Sequence, residues 1–294
     1  MADSFSGYHP VINFWYFAAV IVCAMFFMHP AALLISLVSG AAYSIYLNGR
    51  RAVKFCLLLL PMMLLVALIN PLFNHAGKTI LFYLNDNPVT AESVAYGAAA
   101  AVMFASVILW FSCYNAVMTS DKFLYLFGRV IPALSLVLSM ALRFVPKFKA
   151  QLRVIANAQR CVGRDLHAGN VFRRARNGIK ILSILVTWAL ENAIETSDSM
   201  RARGYGLPGR TSYSNYRFDR RDRGMLILLI LLSAGVICGA ALGETTAVYF
   251  PAVTLHAFSP VSALLYACYA ALCLLPLILD LWEDVTWRRL QSRI

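Results

Sequence analysis

The chain has 294 residues, 60% of them hydrophobic and only 14% charged, with a formal net charge of +12. Soluble domains average roughly 45–50% apolar and 25% charged residues, so this composition excludes an ordinary soluble enzyme and places the chain in a bilayer. There, excess Lys and Arg imply cytoplasmic loops rather than a nucleic-acid partner. The expected fold class is an all-α polytopic membrane protein with about six spans, supplemented by amphipathic cytoplasmic helices.

The N-terminus, MADSFSGYHP, lacks the basic region and small-residue cleavage site of a secretory signal, so the first apolar run is expected to be kept as a span. Spans are then predicted over Val11–Met28, with a tight turn at His29-Pro30, over Ala31–Leu47, ending at Asn48-Gly49-Arg50-Arg51 with Lys54 beyond, and over Val53–Leu72. A polar loop holding Asn74, Lys78, Asn85, Asp86, Asn87 and Glu92 leads to a fourth span, Val94–Met118. The next stretch, Phe123–Val145, is apolar but bracketed by Arg129 and Arg143 and interrupted by Pro132. The uncharged part is about 13 residues, or roughly 20 Å of helix, which suits a buried or in-plane helix better than a crossing.

Charge supports that assignment. From Pro146 to Asn177 the chain carries Lys147, Lys149, Arg153, Arg160, Arg164, Arg173, Arg174 and Arg176 against Asp165 alone. Four crossings from a cytoplasmic N-terminus put this block inside, as the positive-inside bias requires; a fifth would expose it outside. Ile179–Leu190 is apolar but too short to span, and a second basic zone holds Arg201, Arg203, Arg210, Arg217, Arg220, Arg221 and Arg223. Spans at Met225–Leu242 and Val261–Leu279 lead to a basic tail, Trp287-Arg288-Arg289-Leu290-Gln291-Ser292-Arg293. The expected organisation is a first membrane bundle (1–122), a cytoplasmic helical region (123–223) and C-terminal spans with the tail (224–294), in a multi-pass cell-membrane protein with both termini cytoplasmic.

Two amphipathic helices are predicted in the insert. Phe148, Leu152, Ile155, Gln159 and Val162 share one face of the first, while Lys149, Arg153, Asn157 and Arg160 fall elsewhere. The second runs from about Ile179 to Arg203, ending in a basic last turn followed by Gly204, Gly206, Pro208 and Gly209, a helix stop signal. Their apolar faces fit an interfacial helix among anionic headgroups or a platform for partner proteins, and residue chemistry leaves both open.

Other motifs carry less. The seven cysteines (Cys23, Cys56, Cys113, Cys161, Cys238, Cys268, Cys273) form no CxxC pair, and most lie in apolar runs, so no disulfide framework is expected. His9, His29, His75, His167 and His256 show no metal-ligand spacing, and neither a metal nor a cofactor is expected. Gly77-Lys78-Thr79 has Leu72 where a phosphate-binding loop needs its first glycine, so ATP is not bound by that route. Glu191, Glu195 and Asp198 are spaced to place at least two on one helix face, as a solvated face, as partners of Arg201 and Arg203, or as working carboxylates.

The order Ala141-Leu142-Arg143-Phe144-Val145-Pro146, Asn157-Ala158-Gln159-Arg160, then Met200-Arg201-Ala202-Arg203-Gly204-Tyr205 resembles the transmembrane (T) component of energy-coupling factor transporters, the family that includes cobalt and nickel permease subunits. It is strongest over Ser139–Tyr205, and the order of the spans agrees with it. The resemblance implies a non-enzymatic scaffold in an ATP-driven uptake transporter for a vitamin or metal ion. Its partners would be two cytoplasmic ABC-type ATPases and a small membrane-embedded substrate-binding (S) subunit, with hydrolysis on the partner chains.

In such transporters each of two coupling helices ends in an Ala-Arg-Gly-like motif seated on one ATPase. The second motif maps to Ala202, Arg203 and Gly204, beside Arg201. The first maps to Cys161, Val162 and Gly163, so Val162 replaces the motif arginine, with Arg160 and Arg164 as flanking substitutes. Leu182, Leu185, Val186, Ala189 and Leu190 form the apolar face implied to hold the S subunit. A membrane-embedded enzyme acting on a lipid or isoprenoid, with Glu191 and Glu195 as its carboxylates, is the alternative. A stand-alone secondary transporter is opposed by the lack of internal repeats and of intramembrane charge.

Overall fold

The computed structural model describes residues 4–84, 87–128, 131–164, 170–208, 216–243, 245–255 and 259–291. Asn85, Asp86, Arg129, Asp165, His167, Gly209, Arg210, His256, Ser292 and Arg293, which figure in the sequence argument, lie outside the described residues. The chain is helical nearly throughout: α1 Pro10–Phe26, α2 Pro30–Asn48, α3 Arg50–Phe73, α4 Ala91–Val117, α5 Ser120–Gly128, α6 Pro132–Cys161, α7 Val171–Ala202, α8 Arg220–Ala241 and α9 Pro260–Gln291. Two compact units are present, one of residues Met1–Phe123 and Tyr216–Ile294, the other of Leu124–Asn215.

The first unit is a membrane bundle. Among the described residues, five helices (α2, α3, α4, α8, α9) are long and apolar enough to cross a bilayer, and α1 adds a shorter apolar helix of 17 residues. Both α1 and α2 begin with His-Pro. The His9 and His29 Nδ1 atoms accept the backbone N–H of Val11 and Ala31, each at 3.3 Å, while Pro10 and Pro30 sit where no N–H partner is needed. The expected turn at His29-Pro30 is thus a helix cap. Helix α1 is central, with Ile12, Tyr16, Phe17 and Val20 fully buried. The Tyr16 hydroxyl donates to the Cys273 carbonyl at 3.0 Å, and Trp110 Nε1 donates to Ser36 Oγ at 3.0 Å.

Small residues set the helix spacing, as lipid-embedded packing favours. A Cβ at Gly97 of α4 would stand 2.7 Å from the Ala67 carbonyl of α3, and one at Gly239 of α8 would collide with Leu265 of α9. The polar loop expected after the third span is a hairpin of β1 Ile80–Leu84 and β2 Asn87–Thr90, and a second hairpin joins β3 Ala247–Val248 to β4 Thr254–Leu255. The Glu92 carboxylate receives the Thr79 N–H (3.2 Å) and hydroxyl (2.9 Å) at the base of the first hairpin. Gly77, at φ +146°, leaves no room there, since a Cβ would lie 2.6 Å from Glu92 Oε2. The Gly-Lys-Thr triplet therefore closes a hairpin.

The second unit carries the insert helices. Phe123–Val145 is not one helix: α5 ends at Gly128 and α6 starts at Pro132, a residue suited to a first helical turn. Helix α6 then runs unbroken for 30 residues through Pro146. Helix α7 starts at Val171, well before the expected Ile179. Its first turns hold Arg173, Arg174 and Arg176, cations that disfavour a helix N-terminus and so hid the true start. The Asn170 side chain compensates by accepting the Val171 N–H at 2.7 Å.

Candidate functional site: the matched ends of two amphipathic helices

Helices α6 and α7 meet through their polar-aromatic faces. Phe148 and Trp188 pack edge to face with centroids 5.8 Å apart, and Phe144 stacks on Phe148 at 5.8 Å. Lys147 lies 5.5 Å from the Trp188 ring centre and donates to Asn192 Oδ1 at 2.9 Å. Ile155 in α6 and Ile181 in α7 are buried, at equal steps from the aromatic pair in opposite chain directions, the register of antiparallel neighbours. The predicted stripe of α6 holds over Phe148, Ile155 and Gln159, each at least half-buried, whereas Leu152 and Val162 are exposed.

Both helices terminate in the same way. In α6 the cap residue is Val162 (φ −89°, ψ 12°), followed by Gly163 at φ +77°. The Gly163 N–H bonds the Arg160 carbonyl at 3.0 Å, and the Arg164 N–H bonds the Gln159 carbonyl at 2.9 Å. In α7 the cap is Arg203 (φ −85°, ψ 8°), followed by Gly204 at φ +81°. The Gly204 N–H bonds the Arg201 carbonyl at 3.0 Å, and the Tyr205 N–H bonds the Met200 carbonyl at 3.0 Å. These paired bonds with a left-handed glycine define a Schellman end.

The two ends therefore correspond position by position. Arg160 matches Arg201, Cys161 matches Ala202, Val162 matches Arg203, Gly163 matches Gly204, and Arg164 matches Tyr205. Arg160, Cys161, Val162, Gly163 and Arg164 are exposed, as are Arg201, Ala202, Arg203 and Tyr205, while Gly204 is half-buried against Leu207. Val162 is 68% exposed, a large apolar side chain standing where the second end carries a guanidinium. Arg164 turns back, its Nη1 donating to Gln159 Oε1 at 3.3 Å.

The five residues of the expected apolar face divide. Leu182, Val186 and Leu190 are exposed, whereas Leu185 and Ala189 are half-buried, because the five wrap around more than one face of α7. Ile179 and Ile194, exposed on the same side as Leu182, Val186 and Leu190, extend this stripe beyond the five residues expected of it. Glu191, Glu195 and Asp198 are exposed, and among the described residues they form no ion pair with Arg201 or Arg203. Nor do the described residues contain a group of three or more His, Cys, Asp or Glu placed to hold a metal.

The CbiQ family, described as cobalt transport protein, matches residues 5–213. The energy-coupling factor transporter transmembrane protein EcfT of Lacticaseibacillus paracasei is 30% identical over 241 residues, covering 76% of this chain and 89% of its own. Its counterpart in Bacillus selenitireducens is 28% identical, with 70% and 79% covered, and that of Lactococcus lactis subsp. cremoris is 26% identical, with 67% and 76% covered. A match that runs from the N-terminal segment through both capped helix ends, with relatives aligned over most of their own lengths, places this chain in the CbiQ family as the transmembrane (T) component of an energy-coupling factor transporter.

Proposed function

We propose that the chain is the scaffold that joins two cytoplasmic ABC-type ATPases to a membrane-embedded S subunit, with both its own termini on the cytoplasmic side and no catalysis of its own. The observation that carries this reading is the repeated helix end. Two solvent-facing tips with one backbone geometry offer the same kind of partner two equivalent seats. Arg203 supplies a permanently charged donor fork suited to a carboxylate in a groove, with Arg201 two residues before it. The first tip presents Val162 between Arg160 and Arg164, so its seat is apolar at the centre and basic at the rim. Leu182, Val186 and Leu190 offer the S subunit an apolar surface. The solute, a vitamin or a metal ion, is then chosen by that subunit, and α6 and α7 transmit to it the motions that ATP drives in the partner chains.

Breaking one member of a buried charge pair at an interface costs about 2–5 kcal/mol. Arg203→Glu is therefore expected to abolish co-purification of the ATPases or uptake in native membranes. Association and transport at wild-type levels would reject the assignment. Val162→Arg tests the first seat in the opposite sense: an added guanidinium in an apolar groove is expected to weaken ATPase binding, and tighter binding would show that the groove is built for charge.

A further inference from the structure

We propose that the N-terminal segment Ser4–His9 is a clasp that fastens together the two points where the membrane bundle gives way to the coupling helices, with Lys122, Asp222 and Asp280 as its positioning residues. The segment contains a short 3-10 helix, Phe5–Gly7, with Phe5 fully buried. Its backbone is gripped on every side. The Phe5 N–H donates to Asp280 Oδ1 of α9 at 3.0 Å. The Asn13 carboxamide, in the orientation that satisfies both neighbours, donates to the Phe5 carbonyl at 3.0 Å and accepts from Lys122 Nζ at 3.1 Å. Lys122 Nζ also donates to the Ser6 carbonyl (2.6 Å), the Ser6 hydroxyl (2.8 Å) and the Val117 carbonyl (3.0 Å). Further along, the His9 N–H donates to Asp222 Oδ1 at 3.4 Å, and the Arg221 guanidinium sits 4.1 Å over the Tyr8 ring.

These three charged residues are 5%, 7% and 1% exposed, for Lys122, Asp222 and Asp280 respectively. Burying a charge is costly unless it is paired or fully hydrogen-bonded, and apolar side chains would fill a bundle end at lower cost. What a hydrogen-bonded charge provides instead is a fixed register between elements. Their places in the chain indicate which register is fixed. Lys122 stands just before the second unit begins at Leu124, and Arg221 and Asp222 stand just after it ends at Asn215. The segment thus holds the outgoing and the returning strand to each other and to α9. Both covalent crossings then move as one body, and displacement of the coupling helices is passed to the bundle rather than absorbed at either crossing. This last consequence rests on the scaffold role proposed above; the clasp itself does not.

The test uses the full transporter complex in vesicles and compares wild type with Lys122→Met, Asp280→Asn and the milder Ser6→Ala. Hydrogen exchange at the crossings (residues 117–124 and 216–223), ATPase co-purification, ATP hydrolysis and uptake are measured together. In Asp280→Asn, exchange is expected to rise at both crossings, although Asp280 lies on neither. ATPases should stay bound and hydrolysis should continue, while uptake per ATP falls about tenfold; Ser6→Ala should shift the same readouts less. Exchange that rises only around α9 overturns the clasp, and uptake per ATP that stays unchanged with the crossings loosened overturns its part in coupling. Should Lys122→Met fail to accumulate, Ser6→Ala and Asp280→Asn decide by the same criteria. If the crossings loosen together but the wild-type chain retains no ATPase, the clasp stands and the scaffold reading falls.

Discussion

At Gly163 and Gly204 the backbone sits at φ +77° and +81°, a region where a Cβ costs about 1 kcal/mol or more. Gly163 is the cleaner position, because a Cβ there meets nothing within 4 Å, whereas one at Gly204 would press on Leu207 at 3.2 Å. Gly163→Ala is therefore expected to weaken ATPase association by roughly fivefold through backbone strain alone, Gly163→Val by more, and Gly163→Asn hardly at all, since Asn tolerates the left-handed cap. Binding titrations of the three variants that gave equal losses would exclude the cap geometry as the cause. The second motif was legible from sequence because Arg201, Arg203, Gly204 and Pro208 together spell a helix stop. The first, mapped to Cys161, Val162 and Gly163 by resemblance, lacks the arginine, and the shared geometry of its end lies in dihedral angles and in the Arg164–Gln159 backbone bond, neither of which is written in residue type. The Lys122 and Asp280 hydrogen bonds were hidden for a related reason: their partners are main-chain atoms far away in sequence.

Among the elements, hydrophobic periodicity located the start of each helix of the membrane bundle to within about five residues, but it stopped α9 at Leu279 where the helix continues to Gln291, and it set neither the start of α7 nor the true edges of its apolar stripe. The failure at the start of α7 came from the arginines after Asn170, which look like a solvated linker until the cap is seen. The failure at the stripe came from counting apolar residues without the partner helix, which half-buries Leu185 and Ala189 but leaves Leu182, Val186 and Leu190 bare. The pairing of α6 with α7 depends on few side chains, so it is open to a direct energetic test. Phe148 and Trp188 form an edge-to-face pair at 5.8 Å, and such pairs contribute about 0.5–1.5 kcal/mol beyond buried area. A double-mutant cycle of Phe148→Leu and Trp188→Leu, followed by chemical unfolding in detergent, is expected to return a coupling energy in that range. Strict additivity would show that the helices are held by something else.

For the molecule as a whole, the decisive quantity is which side of the membrane the helix ends face. The basic composition of the insert argues for the cytoplasm through the positive-inside bias, and docking of ATPases requires the same side. A native probe stands at the right place: Cys161, exposed and immediately before Val162. The other exposed thiol, Cys238, lies within α8, one of the helices long and apolar enough to cross a bilayer, where lipid would keep a charged aqueous reagent away. A membrane-impermeant maleimide is therefore expected to label Cys161 in inside-out vesicles and to spare it in intact cells, with Cys161→Ser removing the signal. Adding the ATPases should then protect Cys161, because the thiol borders the proposed seat and would be covered when the cap is engaged. Labelling of intact cells would place the end of α6 on the outer face and remove the basis for ATPase docking there. Labelling from the inside that the ATPases leave unchanged would keep the topology but move the contact away from the first helix end.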